Sequence, residues 1–233
     1  MDALTPPGVE FSAVVVTGTR SVEQPTMKLA VQLDGAVGDV FILHDDDEFV
    51  FARRVNRAAH ALLERHPDLN ALILANDDTI PTALACHRIA AWPKARAFVS
   101  AVSNQGGGGA QNARGFFEEG DAETGQPFPS PQRLAAFFLY ITADAWKALE
   151  GLDEQFDGHG GEDTDLSLRA AALGFQLQID PLAYVWHEGS ASFGRDQLRK
   201  QTQRARDCFL QKYPEIKIYT SPMLLPTQDP SEE

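Results

Sequence analysis

The sequence has little with which to build a covalent or thiolate-held scaffold. Cys86 and Cys208 are its two cysteines, far apart and in no metal-type spacing, which excludes a disulfide framework and a zinc knuckle and leaves two ordinary thiols. Positive charge is also scarce: 20 Lys and Arg stand against 33 Asp and Glu, a net charge of -13. Such an excess repels nucleic acid and anionic membrane surfaces, so neither is expected as a partner. A divalent cation reverses that local sign, so a diphosphate held through a metal stays open to an acidic protein. No stretch approaches the roughly 20 apolar residues of a membrane-spanning helix, and "MDALTPPGVEF" has no basic patch leading into an apolar run. No integral membrane segment and a cytoplasmic location are therefore expected. What is present is apolar material, 43% of 233 residues, enough for one domain with a substantial core.

Strand and helix patterns alternate along the first third of the chain. "FSAVVVTGT" and "DVFILH" are apolar, β-branched runs of the kind found in buried strands, and residues 20 to 37 between them have room for one short helix. "RRVNRAAHALLER" sets Val55, Ala59, Leu62 and Leu63 on one helical stripe, and "NALILANDDTIP" returns to a strand that stops at an acidic turn. This alternation predicts an α/β fold with a mainly parallel central sheet flanked by helices, its ligands gathered beyond the carboxyl ends of the strands.

Residues 104 to 131, rich in glycine and proline with no period, read as a long mobile loop. Then "RLAAFFLYI" is a strand and "ADAWKALEG" a helix closed by Gly151. In "GHGGEDTDLSLR" two glycines turn into a helix with Leu166, Ala170 and Leu173 on its buried face, ended by Gly174. "FQLQI" and "LAYVWHEGSASF" read as two further strands, and a helix covers Arg195 to Lys212. The expected layout is a flexible N-terminus (1–10), a domain (11–215) and a loose tail (216–233). Within the domain, a first half covers residues 11–80 and a second half 81–215.

Three clusters carry chemistry. In "ANDDT", Asp77 and Asp78 emerge together at a strand end, where Mg²⁺ or Mn²⁺ relieves their repulsion; the plainer alternative is a turn and helix cap. In "GHGGEDTD", Glu162, Asp163 and Asp165 exceed what a cap needs, beside His159, although a solvated acidic first turn is also compatible with the helix dipole. His187 ends an apolar strand in an "HEGS" context that suits a ligand at a loop mouth as well as a structural role. "HDDDE", residues 44 to 48, reads by itself as a solvated charge run.

The order of "LILANDDTIP", "RLAAFFLYITADAWKALEGLDEQF", "GHGGEDTDLSLRAAALGF" and "AYVWHEGSASF" resembles the family 2 glycosyltransferases of the GT-A fold, in particular their rhamnosyltransferase-like bacterial branch that builds surface polysaccharides. The resemblance spans residues 71 to 213, where "CFLQKYP" is similar to the family's closing element. It implies a GT-A-type domain, with residues 11–80 as its nucleotide-sugar-binding half and 81–215 as its acceptor and catalytic half, and an inverting, metal-dependent transfer of a hexose from a nucleotide-diphosphate sugar to a saccharide or other hydroxyl acceptor.

By position, the resemblance makes Asp78 the main metal ligand, with His187 completing a Mn²⁺ or Mg²⁺ site. Asn76 and Asp77 lie near the donor's ribose and phosphates. Asp163 becomes the general base and Glu162 its support or the acceptor's anchor. The family's nucleotide-binding turn is replaced here by "ILHDDDEFVFARRVN", which leaves Thr17, Asp45 and Asn56 as donor-binding candidates. Two rivals remain: a degenerate relative that binds a saccharide or partner protein without catalysis, and a nucleotidyltransferase, for which "TGTRSVEQP" lacks the glycine-rich basic loop.

Overall fold

A computed structural model describes residues 12–19, 39–44, 50–76, 78–89, 97–104, 111–112, 133–157, 160–187 and 195–216. In chain order the elements are β1 (Ser12–Thr19), β2 (Asp39–His44), α1 (Phe51–Arg65), β3 (Ala71–Asn76), β4 (Thr79–Pro81), α2 (Ala83–Ile89), β5 (Ala97–Ser103), β6 (Phe138–Thr142), α3 (Ala143–Leu149), α4 (Glu162–Ala172), β7 (Gln176–His187) and α5 (Arg195–Lys212). Residues 1–10 and 217–233, the segment 20–37, and most of 104–131 lie outside the described residues, together with Asp45, Asp77 and His159.

One seven-stranded sheet runs in the order β2-β1-β3-β6-β5-β7-β4. It is mixed, which corrects the expectation of a mainly parallel sheet. The pairs β1–β2, β1–β3 and β5–β7 are parallel, whereas β3–β6, β5–β6 and β4–β7 are antiparallel. The connection between β5 and β6 leaves and re-enters the sheet at the same edge. A strand that follows such a return has to run backwards, and a strand's own hydrophobicity does not reveal its direction.

Alternation along the central strands builds two cores. Leu72, Leu74, Leu139 and Ile141 face α1, α3 and α4, while Ala71, Ile73, Ala75, Phe138 and Tyr140 face α2. Both faces are covered, which is why "ALILA" and "FLYI" are continuous apolar runs. Helix α1 buries Ala52, Val55, Ala58, Ala59 and Leu62 on the expected stripe. Helix α3 ends with Glu150 in the left-handed region at φ 56°, and Gly151 follows at φ 76°.

Two other expectations change. Residues 176 to 187 form one strand rather than two, with Pro181 accommodated where the β5–β7 register shifts after Ala101↔Asp180. A proline within a strand is tolerated at such a bulge. Here Asp180 also accepts from Leu182 N at 3.1 Å and from Arg88 Nε at 2.8 Å. Leu173 is 52% exposed, because α4 stops at Ala172 and Gly174 turns the chain at φ 80°, so the buried stripe ends one turn early.

Strand β4 lies four positions from β3 in the sheet, about 19 Å at ordinary strand spacing. Only residues 77 and 78 join Asn76 to Thr79, and three residue steps reach about 11 Å at most. The sheet therefore cannot be flat. Its carboxyl edge curls past the bulge and returns β4 to the end of β3, where Thr79 Oγ1 donates to the Asn76 carbonyl at 2.6 Å.

Leu166, 1% exposed, and Leu173 are separated by this packing. Leu166→Ala is expected to cost about 2–5 kcal/mol in urea unfolding, and Leu173→Ala within about 0.5 kcal/mol. Equal losses would contradict the packing of α4.

Candidate functional site

Strands β1, β2, β3, β5 and β7 end at one edge of the sheet, where β4 and β6 begin. The curl brings Asp78, in the turn after β3, against His187 at the end of β7. His187 Nε2 lies 3.1 Å from Asp78 Oδ1, both side chains being largely buried. His187 is placed by three further contacts. Its backbone pairs with Thr79 across β4–β7. Its ring stacks on Phe137 with centroids 5.4 Å apart and planes at 19°. Asn104 takes both of its main-chain groups, accepting from His187 N at 2.8 Å and donating to His187 O at 2.9 Å.

The start of α4 reaches the same edge. The Asp163 carboxylate accepts from Thr164 N at 2.6 Å, and the backbone N–H of Ala136 lies close enough to help hold its charge. The next residue, Phe137, accepts from Asn76 N at 2.9 Å and carries the ring under His187. Two consecutive residues thus connect Asp163 to Asn76, His187 and, through His187, to Asp78.

The three acids of α4 have separate fates. Asp165 is fully buried and belongs to a structural network: it accepts from Arg169 Nε at 2.8 Å and Tyr213 Oη at 2.7 Å, and Lys212 Nζ lies 2.5 Å away. Lys212 also reaches Asp153 at 2.6 Å, which ties α5 to the turn before α4. With two cations and a hydroxyl on it, the buried charge of Asp165 is matched.

Glu162 has no such match. It is 8% exposed, and its Oε2 has no hydrogen-bond partner among the described residues. Burial, and then the charge of Asp163, push its carboxyl up to about 8. Burial likewise raises the Asp163 carboxyl above the ordinary range, against the opposing pull of the Thr164 hydrogen bonds, the charge of Arg133 and the nearby Ala136 N–H.

The chain enters this helix through Gly160 at φ 93° and Gly161 at φ 95°, backbone values that favour glycine. A Cβ at Gly161 would also stand 2.9 Å from the Phe156 ring. The N-cap residue Gly161 has no side chain to cap α4, and Asp163 instead takes up the first-turn N–H of Thr164.

The donor-binding candidates are scattered by comparison. The Thr17 backbone lies in register beside Asn76 at the end of β1. Asn56 is engaged elsewhere: its amide donates to Leu152 O at 2.8 Å and accepts from Leu152 N at 2.9 Å, holding the turn after α3.

Asn104 and Gln111 are site-adjacent residues that sequence patterns did not reveal. Gln111 is buried, accepts from Ala135 N at 2.7 Å and donates to Ser100 Oγ at 2.6 Å, so this part of the expected loop is anchored in the body. A polar residue in a glycine-rich stretch gives no periodic signal of such anchoring. Of the aromatic residues near this edge, Phe137, Phe138 and Tyr140 are buried, while Trp186 is 49% exposed.

Asp78 and His187 suit a divalent cation in chemistry and spacing. Adjacent ligands of an octahedral ion at about 2.1 Å stand about 3 Å apart, close to the observed 3.1 Å. Among the described residues no group of three or more His, Cys, Asp or Glu side chains could hold a metal, so the remaining positions would fall to ligand oxygens or water. Among the described residues, no helix is long and apolar enough to cross a membrane.

A family model for the N-terminal domain of galactosyltransferase matches residues 127–185, a stretch that includes β6, both acids of the pair and most of β7. The catalytic domain of Drosophila β1,4-galactosyltransferase 7, solved with xylobiose, superposes with a TM-score of 0.52 at 13% identity, over 80% of this chain and 69% of that one. The fold is that of GT-A-like glycosyltransferases. A mannosyltransferase from Pyrobaculum calidifontis, solved with GDP-Man and Mn²⁺, gives a TM-score of 0.57 at 13% identity, covering 89% of this chain and 65% of that one. GalNAc-T7 with UDP, GalNAc and Mn²⁺ gives 0.57 at 13% identity, covering 90% and 52%. No curated protein matches the chain in sequence.

The raised Glu162 carboxyl sets a direction for stability. The folded protein keeps a proton that the unfolded chain gives up from about 4.5 upward, so this contribution is complete below that pH and is lost as pH rises through about 8. In chelator, urea unfolding is expected to show the wild type losing on the order of a few kcal/mol more than Glu162→Gln between about pH 5 and about pH 9. Parallel curves would mean that Glu162 is not held neutral.

Proposed function

We propose that the protein is a metal-dependent glycosyltransferase that moves a sugar from a nucleotide-diphosphate donor to a hydroxyl acceptor with inversion. The observation that carries this reading is the link from Asp163 through Ala136 and Phe137 to the Asp78–His187 pair, at the carboxyl edge of a GT-A-like sheet. The glycosyltransferase match over residues 127–185 supports the same reaction class.

In this reading Asp78 and His187 hold Mn²⁺ or Mg²⁺, which when bound offsets the negative charge of the leaving diphosphate. Asn76 and the adjacent backbone of Thr17 stand on the donor side, and Asp77 and Asp45, outside the described residues, complete the donor-binding candidates. The acceptor oxygen bonds to the anomeric carbon, the bond from that carbon to the phosphate oxygen breaks, and its electron pair leaves with the diphosphate. Asp163 takes the acceptor's proton from the opposite face, so the anomeric centre inverts. Its raised pKa makes it the stronger base once ionised.

Glu162 keeps its proton at neutral pH and serves as a hydrogen-bond donor to the acceptor or to Asp163. Trp186 offers an exposed ring on which a sugar can stack. The resemblance to family 2 enzymes supports a role in surface polysaccharide or glycoconjugate synthesis. One observation favours a non-catalytic saccharide-binding relative instead: Asn56 is committed to Leu152, which weakens the donor side.

Release of nucleoside diphosphate from a panel of nucleotide sugars in Mn²⁺ decides between the two. Turnover is expected, falling by roughly 10²–10⁴-fold in Asp163→Asn while calorimetric binding of nucleotide and Mn²⁺ survives. No release from any donor favours the binding module, and near-normal turnover in the variant removes Asp163 from the chemistry.

A further inference from the structure

The parallel ladder between β5 and β7 runs to Ser103↔Val185 and then changes character. The next contact is made by a side chain. The Asn104 carboxamide accepts from His187 N at 2.8 Å and donates to His187 O at 2.9 Å, replacing two ladder hydrogen bonds with one rigid fork. It grips the main chain of the residue whose Nε2 faces Asp78 at 3.1 Å. Phe137, stacked at 19°, limits rotation of the ring. The imidazole is thus fixed at its backbone by Asn104 and on one face by Phe137.

We infer that Asn104 is a positioning residue for the cation: by fixing the His187 backbone it presets the distance between the two metal-binding side chains. This rests on the assignment of Asp78 and His187 as the metal pair. Gln105, four glycines and Ala110 follow Asn104, and both main-chain bonds to His187 are made by the Asn104 amide itself. An amide suits this task because it donates and accepts at once. Residues that orient a ligating histidine commonly change metal affinity by roughly ten- to a hundredfold when removed.

The test is Mn²⁺ binding to the full chain without nucleotide, read from the electron paramagnetic resonance of free Mn²⁺, together with the paramagnetic broadening of the His187 ring signals in NMR. Asn104→Ala is expected to weaken Mn²⁺ binding by roughly tenfold or more and to move the onset of His187 broadening to correspondingly higher Mn²⁺. Unchanged affinity with only a lowered melting temperature would overturn the inference and leave Asn104 a folding residue. If Asn104→Ala does not fold, Asn104→Ser, whose hydroxyl can keep one of the two bonds, is expected to show a smaller loss; affinity equal to wild type again overturns it. Asp78→Ala separates this from the underlying assignment. If it binds Mn²⁺ as the wild type does, the metal pair itself is wrong, whereas loss in Asp78→Ala with none in Asn104→Ala defeats the positioning role alone.

Discussion

The hydrogen bonds of residues 134 to 137 are the constraint on which the rest of the candidate site depends. Leu134 N donates to Ser167 Oγ at 2.9 Å, Ala135 N donates to Gln111, Ala136 N lies near the Asp163 carboxylate, and Phe137 O accepts from Asn76 N. Four consecutive residues therefore tie together α4, the anchored end of the glycine-rich stretch and the tip of β3. Backbone groups in an irregular segment need partners as much as those in a ladder do. Here their partners are the elements that carry the chemistry, so satisfying the backbone and assembling the site are the same event. Ser167 adds to this by donating to Asp163 O at 2.8 Å while receiving Leu134 N, which closes the first turn of α4 onto the segment.

Crowding of acidic side chains in "GEDTD" is resolved by division rather than by solvent. Asp165 is neutralised by Arg169 and Lys212, and Arg169 extends to the carbonyls of Leu149 and Gly151 at 2.7 and 2.9 Å. One carboxylate of the three thus organises the scaffold around α3, α4 and α5. Among the described residues Glu162 and Asp163 receive no basic partner of comparable closeness, and burial raises both carboxyls. A pair of adjacent acids with raised pKa values, one tied by backbone N–H groups and one with a buried oxygen unmatched, is costly to keep unless something binds there. The same helix holds both kinds of acid, and only the location of basic residues on α4 and α5 separates them.

Much of this was legible in sequence, and the limits have physical causes. The helical stripe of α1, the strand "ALILA", the limits of α5 and the glycine turn before α4 follow from local periodicity and backbone preference. Asp78 and His187 could be marked as an interesting pair, and they do meet, although the metal they would share rests on the proposal. Local pattern did not reveal the direction of β6 or the merging of residues 176 to 187 into one bulged strand. Both depend on which edge the chain returns to and on partners elsewhere in the sheet. Asn104 and Gln111 were invisible for a related reason: each acts through one amide side chain, and amides beside a glycine run have no period to betray them.

The curl of the sheet explains why residues 109 positions apart, Asp78 and His187, face one another at all. In a flat sheet of this order, β3 and β7 would be separated by β6 and β5, about 14 Å at ordinary spacing, and side chains at their ends would not touch. Two devices remove that distance. The pairing of β5 with β6 stops at Ser100↔Leu139, while that of β5 with β7 continues to Ser103, so the upper part of β5 is released from the middle of the sheet. The bulge at Asp180 then increases the local twist of β7, as bulges do. The short connection from Asn76 to Thr79 holds β4, and with it the end of β7, over the tip of β3. Length at the 77–78 turn is therefore a structural quantity as much as its charge is, because each added residue slackens the tether that sets the Asp78–His187 distance.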